Sequence, residues 1–273
     1  MKYPIFIISK GRAKPTACIT ARELKTMGIP FRIVVEPQEY EDYRKAFPDA
    51  NIIKTPFSNL GQGSIPVRNF VWDIALEENS GRHWIIDDNI RRFHRLHENE
   101  KFIVKDGDGI FTAAETFTDR YENIGLSGMN YHTFCKKTDP VSPFNFNTRI
   151  YSCILIDNSL PFRWRGKYNE DTDLSLRVLK SGLCTVLFNA FLAQKMTTQK
   201  MKGGNTEEVY GNTNKRLEFA KSLEEQHPDV VKVVWKWNRW HHQVDYKGFT
   251  QKLIRKDLEP AERSEFGMVL VDK

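Results

Sequence analysis

No stretch of the 273 residues runs to about 18 consecutive apolar side chains, so no membrane-spanning helix is expected. The apolar run after Met1-Lys2-Tyr3-Pro4 is too short for a secretory leader, and no small-residue cleavage site follows it. A cytoplasmic protein is the resulting expectation. Cysteine is scarce: Cys18, Cys135, Cys153 and Cys184 stand far apart. That spacing excludes a zinc knuckle and a Cys-x-x-Cys redox pair, and predicts buried free thiols. The first predicted strand is followed by Gly11-Arg12-Ala13, not by a Gly-x-Gly-x-x-Gly turn, and no P-loop occurs. Ordinary dinucleotide and kinase chemistry lose their sequence signals with those motifs. Repeats and low-complexity tracts are also missing.

What is present is enough apolar residue for a sizeable core, at 40%, and an uneven charge. The net charge is +6. From Lys195 to Lys256 there are 13 Lys/Arg against 7 Asp/Glu, so the excess lies in the C-terminal third. Trp235, Trp237 and Trp240 fall in that region. Cations interleaved with aromatic rings suit a polyanion, because the cations neutralise phosphates and the rings stack on bases. A basic solvated face over a Trp-rich core edge accounts for the same composition.

The first half alternates β-rich and helical segments. Strands are predicted at 4–9, 31–36, 51–55 and 83–87, and helices at 15–27, 38–47 and 65–79. This order argues for a parallel sheet covered by helices on both faces. Beyond Asn89 the pattern loosens. Residues 101–109 read as a hairpin or loop, 113–123 as a helix and 149–157 as a strand. A helix over 169–181 and a strand over 183–189 follow. Residues 196–205 lack periodicity and read as a loop, 207–226 as a helix, and 230–256 fits strand or helix equally.

Open parallel sheets bind ligands beyond the carboxyl ends of their strands. Those ends carry Ser9-Lys10-Gly11-Arg12, Glu36-Pro37, the segment Asn59 to Ser64 with Gly61 and Gly63, and Asp87-Asp88-Asn89. Carboxylates, cations and glycines at these points fit a nucleotide diphosphate better than an apolar ligand. Two adjacent carboxylates at a strand end ask for positive charge, and a hard divalent cation is one solution. A polar turn is the other reading of Asp87 to Asn89. Further on, Asn169-Glu170-Asp171-Thr172-Asp173 fits an N-cap and an acidic first turn. A carboxylate there that faces the ligand crevice suits a general base.

Taken in order, these segments resemble the GT-A glycosyltransferases of the family-2 style. The matching segments are Ser9-Lys10-Gly11-Arg12, Asn59-x-Gly61 with Arg68-Asn69, Ile85-Ile86-Asp87-Asp88-Asn89, and Glu170-Asp171-x-Asp173-Leu174. More narrowly, the chain resembles the phage TET-associated glycosyltransferases. Those enzymes are implicated in sugar transfer to the hydroxyl of 5-hydroxymethylpyrimidines in DNA.

The resemblance implies a GT-A-like, Rossmann-type α/β fold with a mostly parallel sheet flanked by helices. Residues 1–195 would form the nucleotide-sugar-binding and catalytic domain, and 196–273 a basic, aromatic-rich extension for the acceptor. The implied donor is a UDP-sugar, held by Ser9, Lys10, Arg12, Glu36, Gly61, Arg68, Asn69, Asp87, Asp88, Trp164 and Lys195. Asp88 and Asn89 would hold Mn²⁺ or Mg²⁺, with the neutral amide of Asn89 where the family usually has an Asp. Lys200 and Lys202 would assist Lys195 on a closing loop. Asp171 is the implied base of an inverting displacement, with Glu170 binding the acceptor or supporting the loop. Trp164 is read as stacking on sugar or base, or as a buried indole. His241 or His242 is read as reaching toward the metal, or as a surface pair. With hydroxymethylated DNA as acceptor, Lys232, Lys236, Arg239, Lys247 and Lys252 would contact phosphates. A protein or polysaccharide acceptor, or a DNA-binding protein on a transferase fold without activity, are the competing readings.

Overall fold

The computed structural model describes residues 1–136, 138, 141–196 and 213–257. Strands β1 (Ile5–Ile8), β2 (Arg32–Val35), β3 (Asn51–Lys54) and β4 (Arg82–Asp87) pair in parallel in the order β3-β2-β1-β4. Helices α1 (Ile19–Thr26), α2 (Tyr40–Ala46) and α3 (Ile65–Glu77) connect them, as the alternation predicts. Strand β1 shows why helices must cover both faces. Ile5 and Ile7 join one buried cluster with Leu24 of α1 and Tyr43 of α2. Phe6, between them, points to the other face and packs with Val71 and Trp72 of α3. Burying one such side chain stabilises the fold by about 1.5–3 kcal/mol.

The second half completes a sheet that has ten strands among the described residues. Its strands are β5 (Ile90–His97), β6 (Glu100–Ile103), β7 (Ile124–Tyr131), β8 (Phe144–Phe146), β9 (Cys153–Asp157) and β10 (Cys184–Lys195). The order continues β4-β9-β7-β10-β5-β6, with β8 on β10. Strands β5, β8 and β9 run against the rest, so the sheet is mixed and mostly parallel. Helices α4 (Gly109–Asp119) and α5 (Glu170–Lys180) cover opposite faces. Helix α6 (Thr213–Gln226) leads to a separate hairpin of β11 (Val231–Lys236) and β12 (Arg239–Val244). Val231 is buried against Leu176 of α5 and Leu223 of α6, which fixes the hairpin's root to the body.

Several sequence expectations shift. Helix α1 starts at Ile19, with Pro15 in turns before it, and α4 starts four residues earlier than its pattern suggests. Residues 149–152 precede β9, and β10 runs six residues past Asn189 across a register shift between Phe188 and Leu192. Residues 101–109, read as a hairpin or loop, hold the end of β6, a loop and the start of α4; the hairpin lies earlier, between β5 and β6, with Glu98-Asn99 as its turn, both at positive φ. The predicted helix over 207–226 is described from Thr213 onward, and the loop over 196–205 lies outside the described residues except for Met196.

Strand β7 was hidden by Gly125, Ser127 and Gly128, which have low strand propensity. Packing explains the glycines. A Cβ at Gly128 would run into the carbonyl oxygen of Cys153 and lie 2.5 Å from Ile150 Cγ2; one at Gly125 would lie 2.7 Å from Val178 Cγ1. Gly128→Ala is therefore expected to destabilise the protein by about 1–3 kcal/mol, read as a lowered thermal midpoint. All four cysteines are buried and unpaired, as the spacing suggests.

Candidate active site

The carboxyl ends of β1, β2 and β4 open into a cavity of about 390 Å³, within the range of small-ligand pockets. Asp87 ends β4 and pairs with Ile8 of β1, which sets Ser9 and Asp87 side by side at one edge. Helix α1 fixes the turn that follows. Thr20 Oγ1 donates to the Asp87 carbonyl at 2.6 Å and accepts from the Ile90 amide at 2.8 Å. Asp88 and Asn89 are thereby held buried in a defined turn.

Each carboxylate on the floor has its own partners. Asp88 forms an ion pair with Arg12 and accepts from Ser9 Oγ at 2.5 Å. Because Ser9 gives its proton to Asp88, the contact of 2.6 Å between Ser9 Oγ and Tyr43 OH must have Tyr43 donating. The tyrosine oxygen then accepts from the Arg12 amide at 3.1 Å. Asp87 accepts from Lys195 Nζ at 2.7 Å, Ser152 Oγ at 2.7 Å and Arg68 at 3.2 Å. Burial alone would raise the Asp87 pKa, but Lys195 and Arg68 outweigh it and hold the group at about 2. Burial works to lower the Lys195 pKa, and the Asp87 charge overcomes it and raises it. Glu36 pairs with Lys10 at 3.1 Å and accepts from Gln38 at 2.6 Å. Glu170 accepts from Ser64 Oγ at 2.7 Å and pairs with Arg68 at 3.3 Å.

Asp171 differs. Its Oδ1 accepts from the Thr172 amide at 2.7 Å, and no cation among the described residues lies within ion-pair distance of it. It stands in the first turn of α5 and faces the same cavity. Asn169 does not cap that helix through its side chain; it is left-handed at φ 61° and bonds the Phe219 carbonyl. Asp173 is structural. It is 1% exposed and bonds Arg165, Arg177 and, at 2.9 Å, His227 Nε2 just beyond α6.

Of the residues singled out in the sequence, Ser9, Lys10, Arg12, Glu36, Arg68, Asp87, Asp88, Asn89, Glu170, Asp171 and Lys195 all line this cavity. Gly61 lines a small recess beside it with Lys10 and Glu36. Asn69 and Trp164 stand behind the wall. Asn69 bonds the Trp164 backbone in both directions, at 2.9 and 3.0 Å. The Trp164 indole is buried, with the Arg68 guanidinium 4.7 Å above its ring. Trp164 therefore backs Arg68 and is not a stacking surface for a ligand. Lys200 and Lys202 lie outside the described residues.

The expectation of Asp88 and Asn89 as metal ligands is not met by the donor set. The Asp88 charge is taken up by Arg12, and Asp87 by Lys195 and Arg68. What remains is the buried Oδ1 of Asn89, which has no hydrogen-bond partner and is one neutral oxygen. Hard divalent cations are held by several oxygens, usually including a free carboxylate.

Sequence reading missed one wall. Tyr131, Arg149, Tyr151, Ser152 and Tyr168 also line the cavity. Tyr131 and Tyr151 pack at 4.4 Å between centroids, and the Arg149 guanidinium lies 4.8 Å over Tyr151. Phe134, 61% exposed, extends this aromatic group outward. The Asp171 charge raises the Arg149 pKa against the opposing effect of burial. His242 of β12 reaches this side: burial first, then Arg149, push its pKa down to about 4. Among the described residues no metal-binding cluster surrounds it.

The pairing register sorts the hairpin's side chains. Lys232, Lys236, Arg239 and His241 fall on one face, and Val231, Val233, Trp235, Trp240 and His242 on the other. Lys232, Lys236 and Arg239 are exposed, as are Lys247 and Lys252 beyond the hairpin. Trp237 and Asn238 form the tip, both at positive φ, with Trp237 80% exposed.

No helix among the described residues is long and apolar enough to cross a membrane. The family model described as "TET-Associated Glycosyltransferase" matches residues 3–204. A comparison with curated proteins gave no match. Among solved structures, S. aureus TarS is similar at 8% identity, over 94% of this chain and 99% of that one, with a TM-score of 0.48. A protein from Desulfovibrio desulfuricans G20, described as a nucleotide-diphospho-sugar transferase, is similar at 10% identity over 68% and 79% of the chains, with a TM-score of 0.39.

Proposed function

Because the chain belongs to the TET-associated glycosyltransferase family, we propose that it moves a sugar from a UDP-sugar to the hydroxyl of a 5-hydroxymethylpyrimidine in DNA. One observation carries the mechanism. Of the carboxylates lining the cavity, Asp171 alone among the described residues has no cation at ion-pair distance, and it faces the same space as the Asp87 edge. A general base needs that freedom to take up a proton.

In this reading the nucleotide lies along Ser9, Lys10 and Glu36, and the diphosphate comes to rest near Arg68 and Lys195. Asp171 removes the proton from the acceptor hydroxyl. The hydroxyl oxygen bonds to the anomeric carbon as the bond from that carbon to the diphosphate breaks, and UDP departs with the electron pair. Attack from the face opposite the leaving group inverts the anomeric centre. Glu170 orients the site by holding Ser64 and Arg68.

The acceptor reading is supported by the hairpin. Its exposed cations Lys232, Lys236 and Arg239 share one face, and the opposite face carries His242, which feels the charges of Arg149 and Asp171. Such a face suits a phosphate backbone. Lys247 and Lys252 extend the positive charge beyond β12. A target base in duplex DNA must leave the stack to reach the cavity, and in this reading Tyr131 and Tyr151 on its wall, with the exposed Phe134 beyond them, receive it. Reversing the charge of Lys232, Lys236 and Arg239 together is expected to weaken DNA binding and to flatten its salt dependence, with UDP affinity unchanged. Unaltered DNA affinity would move the acceptor surface elsewhere.

The direct test is transfer of radiolabel from UDP-sugars to hydroxymethylated DNA, with unmodified DNA and a neutral polysaccharide beside it. Label in hydroxymethylated DNA alone is the expected result. Label in the polysaccharide would replace the acceptor, and no label from any common nucleotide sugar would remove the activity.

A further inference from the structure

The disagreement between the acidic edge and a metal site has a consequence for how the leaving group is held. Breaking a glycosidic bond to a nucleoside diphosphate leaves negative charge on the phosphates, and that charge must be met by positive charge fixed in place. Two cations are already fixed at this edge. Arg68 comes from α3, with its guanidinium over the Trp164 ring at 4.7 Å and its Nε 3.2 Å from Ser64 Oγ. Lys195 comes from the end of β10, with Nζ 2.9 Å from Ser152 Oγ and 3.3 Å from Tyr131 OH. They meet at Asp87, Arg68 on one carboxylate oxygen at 3.2 Å and Lys195 on the other at 2.7 Å. Arg12 cancels Asp88 in the same way, and Lys10 cancels Glu36.

We propose that Lys195 and Arg68, and not a divalent cation, neutralise the diphosphate, so that this pocket binds its nucleotide without metal. This rests on the donor reading above and adds to it the means of charge neutralisation. A Lys and an Arg donate directly to phosphate oxygens, and the Arg presents two parallel N–H groups. A divalent cation in the same place would stand against both of them. Asp87 then has a different task from a metal ligand: it holds the two cations in position until the phosphates arrive.

The test is calorimetric titration of UDP into the full chain, in chelator and in excess Mn²⁺. The expected result is binding in chelator with an affinity within about threefold of that in Mn²⁺, well below the tenfold change that corresponds to about 1.4 kcal/mol. Lys195→Ala is expected to weaken UDP in chelator by about tenfold or more, given the strength of charge-assisted hydrogen bonds. Uridine, which lacks phosphate, should bind the variant as it binds the unmodified chain, and Lys195→Arg should retain most UDP affinity. A merely structural Lys195 would lower both ligands together. UDP binding that appears only with Mn²⁺ would overturn the proposal and leave the donor reading standing. If uridine, adenosine, guanosine, cytidine and thymidine diphosphates all fail to bind in either buffer, the donor reading falls and this proposal with it. The comparison of chelator with Mn²⁺ uses the unmodified chain, so it decides the question even if the variants fold poorly.

Discussion

Asp171→Asn is expected to lower kcat by about 10²–10⁴-fold, the usual contribution of a positioned general base. The amide keeps the shape of the side chain and removes its basicity. UDP affinity should not change, because Asp171 lies in the first turn of α5 and makes no ion pair with the cations around Asp87. Steady-state kinetics beside UDP titration separate the two quantities. Glu170→Gln should differ in kind: it weakens the hold on Ser64 and Arg68, so its loss should appear in donor affinity as well as in rate. Wild-type turnover in Asp171→Asn would take the base role away from this residue.

Asp173→Ala is expected to destabilise the protein by about 3–5 kcal/mol, because it removes the buried carboxylate that meets Arg177 and His227 in the interior and the half-exposed Arg165 at its edge. Arg165, Arg177 and His227 all bond this one carboxylate. His227 follows α6, so the loss should also loosen the hairpin from α5. The measurement is chemical denaturation, with proteolysis of the C-terminal region as a local readout. Burial raises the Asp173 pKa, but His227, Arg165 and Arg177 outweigh it and lower it. A lowered folded-state value means that the network's stabilisation is present above the ordinary carboxylate pKa of 3.8 and is lost as pH falls below it. The gap between wild type and variant should therefore close on strong acidification. A variant as stable as wild type at neutral pH would show that the network contributes nothing.

These two residues show how much of the site can be read from the sequence and where reading stops. Asp171 and Asp173 sit two apart in one motif with the same chemistry. Helical geometry turns one to the cavity and the other into the protein, and only the partners of each reveal that. The strand ends were legible because a parallel sheet delivers Ser9, Glu36 and Asp87 to one edge. The opposite wall was not. Tyr131 ends β7, whose glycines disguise it as a loop. Arg149 and Ser152 lie in an irregular lead-in to β9 that reads as the strand itself. The charge state of the floor was equally out of reach, since Lys195 meets Asp87 across 108 positions of sequence. The hairpin was ambiguous because its buried and exposed faces alternate among tryptophans, histidines and valines, and no simple apolar period stands out.

Photoaffinity labelling with an azido-uridine analogue of a UDP-sugar, followed by peptide mapping, tests most directly that this cavity holds the donor. Label is predicted on peptides that contain Ser9 to Arg12, Ser64 to Arg68 or Asp87 to Asn89, and excess UDP should suppress it. Label that UDP suppresses but that maps to the hairpin, or to any surface away from those three segments, would contradict the account.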